Sequence, residues 1–184
     1  MNRKSLILFF IAIVFLVSCQ SNSSNGTLND KKLKLQDHAK GAYPRYYERV
    51  SKETASKALP FPMNLPKKLP FKVVLTTYQI SDWGEKRNIL LDTVFYPKQE
   101  GKNVYLAYRV SNFLPKGEEK TTKAKVKLEN GTEAYFSGNA DLPILLWEED
   151  GLFHKMEYLI REGSDSKKEK EKLLKAASSV YDNK

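Results

Sequence analysis

The chain has 184 residues, of which 31 are lysine or arginine and 22 aspartate or glutamate, giving a formal net charge of +9, with two histidines and one cysteine. That length suits a single domain with a tail, and a lone cysteine excludes an intrachain disulfide and a thiolate metal site. The basic balance raises nucleic acid as a partner, beside anionic membrane faces and wall polymers.

Residues Leu6 to Val17 form an uncharged apolar run of 12 residues behind Arg3 and Lys4. This is shorter than the roughly 20 residues that span a bilayer, so residues 1–18 read as a cleaved export signal, not a transmembrane helix. The run ends Leu16-Val17-Ser18-Cys19. That order of apolar, variable, small, cysteine resembles the lipobox of bacterial lipoproteins. The resemblance implies cleavage before Cys19, a diacylglyceryl thioether on Cys19, and a lipid-anchored place on the extracytoplasmic face of the cell membrane. Two acyl chains suffice for stable attachment. Export removes nucleic acid from the expected partners. Losing Arg3 and Lys4 lowers the formal charge from +9 to +7, which leaves weak contact with anionic lipid or wall polymer, or simply solvated lysines.

Gln20 to Asp30 is rich in Ser and Asn and offers little to bury, so residues 19–42 read as a flexible, lipid-anchored tether with a reach of roughly 20 Å. Lys31, Lys32 and Lys34 follow, diluted by Asp30 and Asp37. The domain proper is expected over residues 43–184. Tyr43-Pro44-Arg45-Tyr46-Tyr47 is either a stacking platform for a ring ligand or a knot that docks the domain's start on its own core. Ser51 is placed to cap a short helix that Pro60 ends. Pro60, Pro62, Pro66 and Pro70 alternate with Phe61, Met63, Leu65 and Leu69, which predicts extended chain laid on an apolar surface.

From Phe71 the hydrophobic period becomes two, predicting strands over 71–80, 89–96 and 103–111. In the third, Val104, Leu106, Tyr108 and Val110 share a face and Tyr105 and Arg109 take the other, as in a sheet wet on one side. Ala124, Val126 and Leu128 alternate with Lys123, Lys125 and Lys127, a solvated stripe that also suits an edge strand. Asn130-Gly131 and Asp150-Gly151 predict hairpins joining strands over 123–128, 132–137, 142–148 and 152–160. A closing helix starts near Ser166, which has capping-box spacing to Glu169. It carries Leu173, Leu174, Ala177, Val180 and Tyr181 on one face, and Lys167, Lys168, Lys170, Lys172 and Lys175 on the other. The expectation is an α+β fold: a curved antiparallel β-sheet of about six or seven strands with a packed C-terminal helix and a short N-terminal helix.

Leu59-Pro60-Phe61-Pro62 with Leu65-Pro66 and Leu69-Pro70, the run Leu145 to Gly151, and the closing Leu173 to Val180 together resemble a domain-of-unknown-function family found on Gram-positive surface and sporulation-associated proteins. More distantly, the pattern is similar to lipoprotein-carrier and sensor domains. The resemblance implies a groove for an apolar ligand or a partner segment, and it carries over no catalytic residue.

The remaining residues offer little chemistry. Glu148, Glu149 and Asp150 flank too short a turn for a calcium loop. His154 shares parity with Leu152, Met156 and Tyr158, which predicts a hydrogen-bonded, half-buried side chain, and His38 lies in the tether, so no metal site is expected. There is no Gly-x-Ser-x-Gly elbow and no phosphate loop, and no cofactor is expected. A non-enzymatic binding or sensing module for an envelope protein or a lipid or apolar ligand is the leading expectation, with Tyr78, Tyr105, Tyr135 and Trp147 as the candidate contact residues. The alternatives are a wall or glycan hydrolase using Asp82, Asp92 or the Glu148–Glu149 pair, and a structural spacer.

Overall fold

The computed structural model describes residues 26–36, 43–98, 104–118, 124–138, 141–160 and 165–182. Cys19, His38 and the export signal lie outside them. Among the described residues no helix is long and apolar enough to cross a membrane.

Eight strands form one open antiparallel sheet: β1 (Arg45–Tyr46), β2 (Val73–Asp82), β3 (Ile89–Pro97), β4 (Tyr105–Ser111), β5 (Ala124–Lys127), β6 (Glu133–Gly138), β7 (Pro143–Glu149) and β8 (Leu152–Leu159). Their spatial order is β1-β2-β3-β4-β8-β7-β6-β5. With helices α1 (Lys52–Ala58) and α2 (Ser166–Ser178), this is an α+β fold. The count of eight corrects the expected six or seven: the extra strand is β1, where Arg45 and Tyr46 pair with Asp82 and Ser81. Two residues are too few to show a period.

Strict alternation gives the sheet two unlike faces. Leu91, Phe95, Leu106, Tyr108, Val110, Leu145, Trp147, Met156 and Tyr158 are buried in one core. α2 packs on β7 and β8, and α1 packs on β2. α1 starts at Ser51, whose hydroxyl accepts from the Thr54 amide at 3.1 Å, and stops at Leu59 ahead of Pro60. The proline-rich stretch lies on the same core, with Phe61 buried and Leu59, Met63, Leu65, Leu69 and Phe71 half-buried against it. α2 is capped by Asp165 rather than by Ser166, the Asp165 carboxylate accepting from the Lys167 and Lys168 amides. Aspartate and serine cap about equally well, but the carboxylate also complements the helix dipole.

Residues 26–36, which composition reads as tether, are seated on the domain. Leu28 is buried, its amide donates to the Lys86 carbonyl at 2.8 Å, and Leu35 bridges to Tyr47. A single well-placed leucine outweighs the polar average of its neighbours. Both hairpin turns form, by different geometries. Asp150 and Gly151 both take positive φ, whereas at the other turn only Gly131 does. There the Gly131 amide donates to the Leu128 carbonyl, so the β5–β6 connection is a turn closed by one left-handed glycine.

Candidate binding faces of the sheet

The covered face is filled by its own side chains. Trp147, His154 and Tyr108 stack in series, with Trp147 and His154 centroids 4.9 Å apart and 6° from parallel, and Tyr108 and His154 centroids 6.0 Å apart. The Tyr108 hydroxyl meets His154 Nδ1 at 2.8 Å, Tyr181 Oη meets His154 Nε2 at 3.4 Å, and Trp147 Nε1 donates to Tyr181 Oη at 2.6 Å. An indole only donates, so Tyr181 Oη accepts from Trp147, and the two ring nitrogens of His154 are met by the Tyr108 and Tyr181 hydroxyls. Burial, reinforced by the Tyr181 and Glu149 charges, pushes the Tyr108 hydroxyl well above its ordinary value. Burial likewise raises Tyr181. His154 is therefore hydrogen-bonded, as its strand parity predicts, but buried rather than half-buried.

Among the described residues no helix packs on the other face. Asp92 on β3, Arg109 on β4 and Lys155 and Glu157 on β8 form a charged belt across three neighbouring strands. Arg109 Nε donates to Asp92 Oδ2 at 3.1 Å and Nη1 lies 3.6 Å from Glu157. Lys155 reaches Glu157 at 2.7 Å and Glu118 at 3.0 Å. Burial opposes the charge on both cations, but the carboxylates outweigh it and the Arg109 and Lys155 values are raised. Asp92 Oδ1 is buried without a hydrogen-bond partner. Beside the belt is a cavity of about 300 Å³ lined by residues that include Tyr46, Gln79, Trp83, Asp92, Arg109 and Glu118.

No protein-family model, curated protein or solved structure matches this chain.

The four aromatic candidates do not form one site. Trp147 is 1% exposed and bonded to Tyr181, and Tyr78 packs half-buried against the same core. Tyr105 and Tyr135 lie on the belt face. Tyr105 contacts the Tyr96 ring, and the Tyr135 hydroxyl donates to Glu133 while Lys125 sits over its ring at 5.9 Å. β8 and β7 separate them. The carboxylates of the hydrolase alternative are likewise divided. Asp82 is fully buried on the core side, its Oδ1 accepting from the Gly84 and Lys86 amides, while Asp92 belongs to the opposite face. Glu148 and Glu149 alternate between the two faces, and Glu149 accepts from Thr132 and Asn130. Among the described residues no group of three or more His, Cys, Asp and Glu side chains is gathered as a metal would require.

Sequence reasoning singled out Asp92 but missed its belt. The alternating charges at 92, 109, 155 and 157 are visible, yet their meeting depends on the β3–β4–β8 register, and β4 and β8 are far apart in the chain.

Proposed function

We propose that the protein is a non-enzymatic binding module, fastened outside the cytoplasm through diacylglyceryl-Cys19, that meets an envelope protein through the uncovered face of its sheet. The observation that carries this reading is the unlike treatment of the two faces. One is filled by Trp147, Tyr108, Met156 and Leu145 beneath α2. The other carries the charged belt flanked by the half-buried Tyr96, Tyr105 and Tyr135. Aromatic side chains around satisfied ion pairs are the composition of protein-contact surfaces. A filled core face gives less support to carriage of an apolar ligand, the role that the resemblance to lipoprotein carriers implies.

The anchor and the face are tested together by site-specific photo-crosslinking in cells. A crosslinker at Tyr105 or Tyr135 should trap one defined envelope protein, and one at Lys175 or Glu171 on the outer side of α2 should not. Equal labelling from both sides, or none from the belt face, overturns the face assignment. Recovery of soluble protein whose Cys19 carries no acyl mass overturns the anchor.

A further inference from the structure

We infer that the corner of the domain formed by the β2–β3 turn and the chain after β4 is a docking surface for an anionic lipid bilayer. This rests on the Cys19 anchor proposed above. Gly26 lies against Pro60, with only 3.0 Å between the position its Cβ would take and the Pro60 Cβ. Two residues on, the Leu28 amide is bonded to the Lys86 carbonyl inside the β2–β3 turn at 2.8 Å, and Asp30 pairs with the Lys86 ammonium at 2.8 Å. The chain from the anchor thus arrives at this corner. From Cys19 to Gly26 it is seven peptide steps, at most about 25 Å even when fully extended, so the corner cannot leave the vicinity of the membrane.

The same corner gathers exposed apolar side chains. Trp83 is 38% and Leu114 46% exposed, two of the few large hydrophobics left outside the core, and the Trp83 and Phe113 rings lie 5.8 Å apart. A tryptophan with its indole N–H turned inward, here donating to Ser81 at 2.9 Å, presents an apolar edge of the kind that settles at a membrane interface. Exposed Lys116 lines the same cavity as Trp83, exposed Arg87 lies in the turn, and exposed Lys31 and Lys32 follow Asp30, the partner of Lys86, on the side where Glu53 also lies; Glu85 is the one exposed acid in the turn itself. Basic side chains around an apolar spot suit anionic headgroups over an acyl boundary.

The acidic Glu148-Glu149-Asp150 turn is at the same end of the sheet, because Glu149 pairs with Leu152 and Ser111 with Phe153. It is three strand spacings, about 14 Å, from the β2–β3 turn, beyond the physiological screening length of about 8 Å, and half that from the chain after β4, which neighbours β8. It therefore leaves the β2–β3 side of the corner basic; it is itself repelled, and tilts the domain so that the β2–β3 turn approaches the bilayer first and the β7–β8 turn lifts.

The test uses the mature protein, purified from membranes and reconstituted into vesicles whose acyl chains carry bromine quenchers. The chain has two tryptophans, and with Trp147 1% exposed, quenching reports Trp83. In vesicles containing phosphatidylglycerol, emission should be quenched and blue-shifted. The effect should fall at least about twofold in phosphatidylcholine alone or in about 1 M salt, where screening acts within about 3 Å. It should also fall in the quadruple Lys31→Ala, Lys32→Ala, Arg87→Ala, Lys116→Ala protein, whose substitutions lie on exposed positions. The Trp83→Phe protein supplies the Trp147 background. Quenching in the parent no greater than that background, or unchanged by lipid charge, overturns the docking surface. Intact mass of the amino-terminal peptide reads the anchor separately, so the two failures are distinguishable.

Discussion

At the scale of single residues, the Tyr181 hydroxyl has the most to lose. It accepts from the Trp147 indole and meets His154 Nε2, so Tyr181→Phe takes the acceptor from a buried indole N–H. The expected cost is about 1–3 kcal/mol, read as a lower urea midpoint at unchanged slope. Tyrosine titration carries a second expectation. Burial raises Tyr108 and Tyr181, and burial with the Glu169 charge raises Tyr158 to about 12. The folded state therefore holds these protons longer than the unfolded chain does. Their contribution is complete below the ordinary tyrosine value near 10 and is lost as pH rises through the folded values. Phenolate absorbance from Tyr108, Tyr158 and Tyr181 should appear only above the ordinary tyrosine value, together with loss of the near-ultraviolet dichroism. A single smooth titration with the fold intact contradicts this. Strand parity made His154 legible as a core residue. Its partners Tyr108 and Tyr181, 46 and 27 residues away, were not, because parity fixes a face and not a neighbour.

At the scale of elements, the end of α2 acts as a clasp through Ser178, its last residue, and Ser179, which follows it. The Ser179 hydroxyl, fully buried, accepts from the Lys67 and Lys68 amides at 3.0 Å each, and Ser178 accepts from the Glu129 amide at 3.0 Å. The helix end thus holds the proline-rich stretch on one side and the β5–β6 turn on the other. Ser179→Ala leaves two amides unpartnered and should lower stability by about 1–3 kcal/mol. Hydrogen exchange at Lys67 and Lys68 should rise more than at the strands, since local opening there costs less than global unfolding. At the other end, Asp165→Ala removes the cap and should cost about 1 kcal/mol. The 3.6-residue pattern announced the helix and its buried stripe. The choice between adjacent Asp165 and Ser166 turned on backbone dihedrals that no pattern carries. Edge strands were legible in proportion to length: the Lys125 and Lys127 stripe marks β5, while β1 has no stripe to mark it.

At the scale of the whole molecule, the alternation of apolar residues gave the strands and their two faces, but not the order in which they assemble. β1 to β4 form one meander and β5 to β8 a second, laid beside it in reverse so that β4 meets β8. The belt crosses that seam, Arg109 on β4 reaching Asp92 behind it and Glu157 ahead. Arg109→Ala leaves carboxylates half-buried beside one another and should cost about 1–3 kcal/mol. Reducing Asp92 to Asn in the same chain should recover part of this, a coupling that a double-mutant cycle measures.

The strand order also means that every pairing except the one across the seam is made within a single half of the polypeptide. A backbone cut between Glu118 and Ala124 would therefore yield two contiguous four-stranded pieces, each missing only one strand neighbour. Mixed together, such fragments should reconstitute the parent spectrum, and the protein could serve as a split reporter whose halves recognise each other along the β4–β8 edge and through Ser179 on the proline-rich stretch.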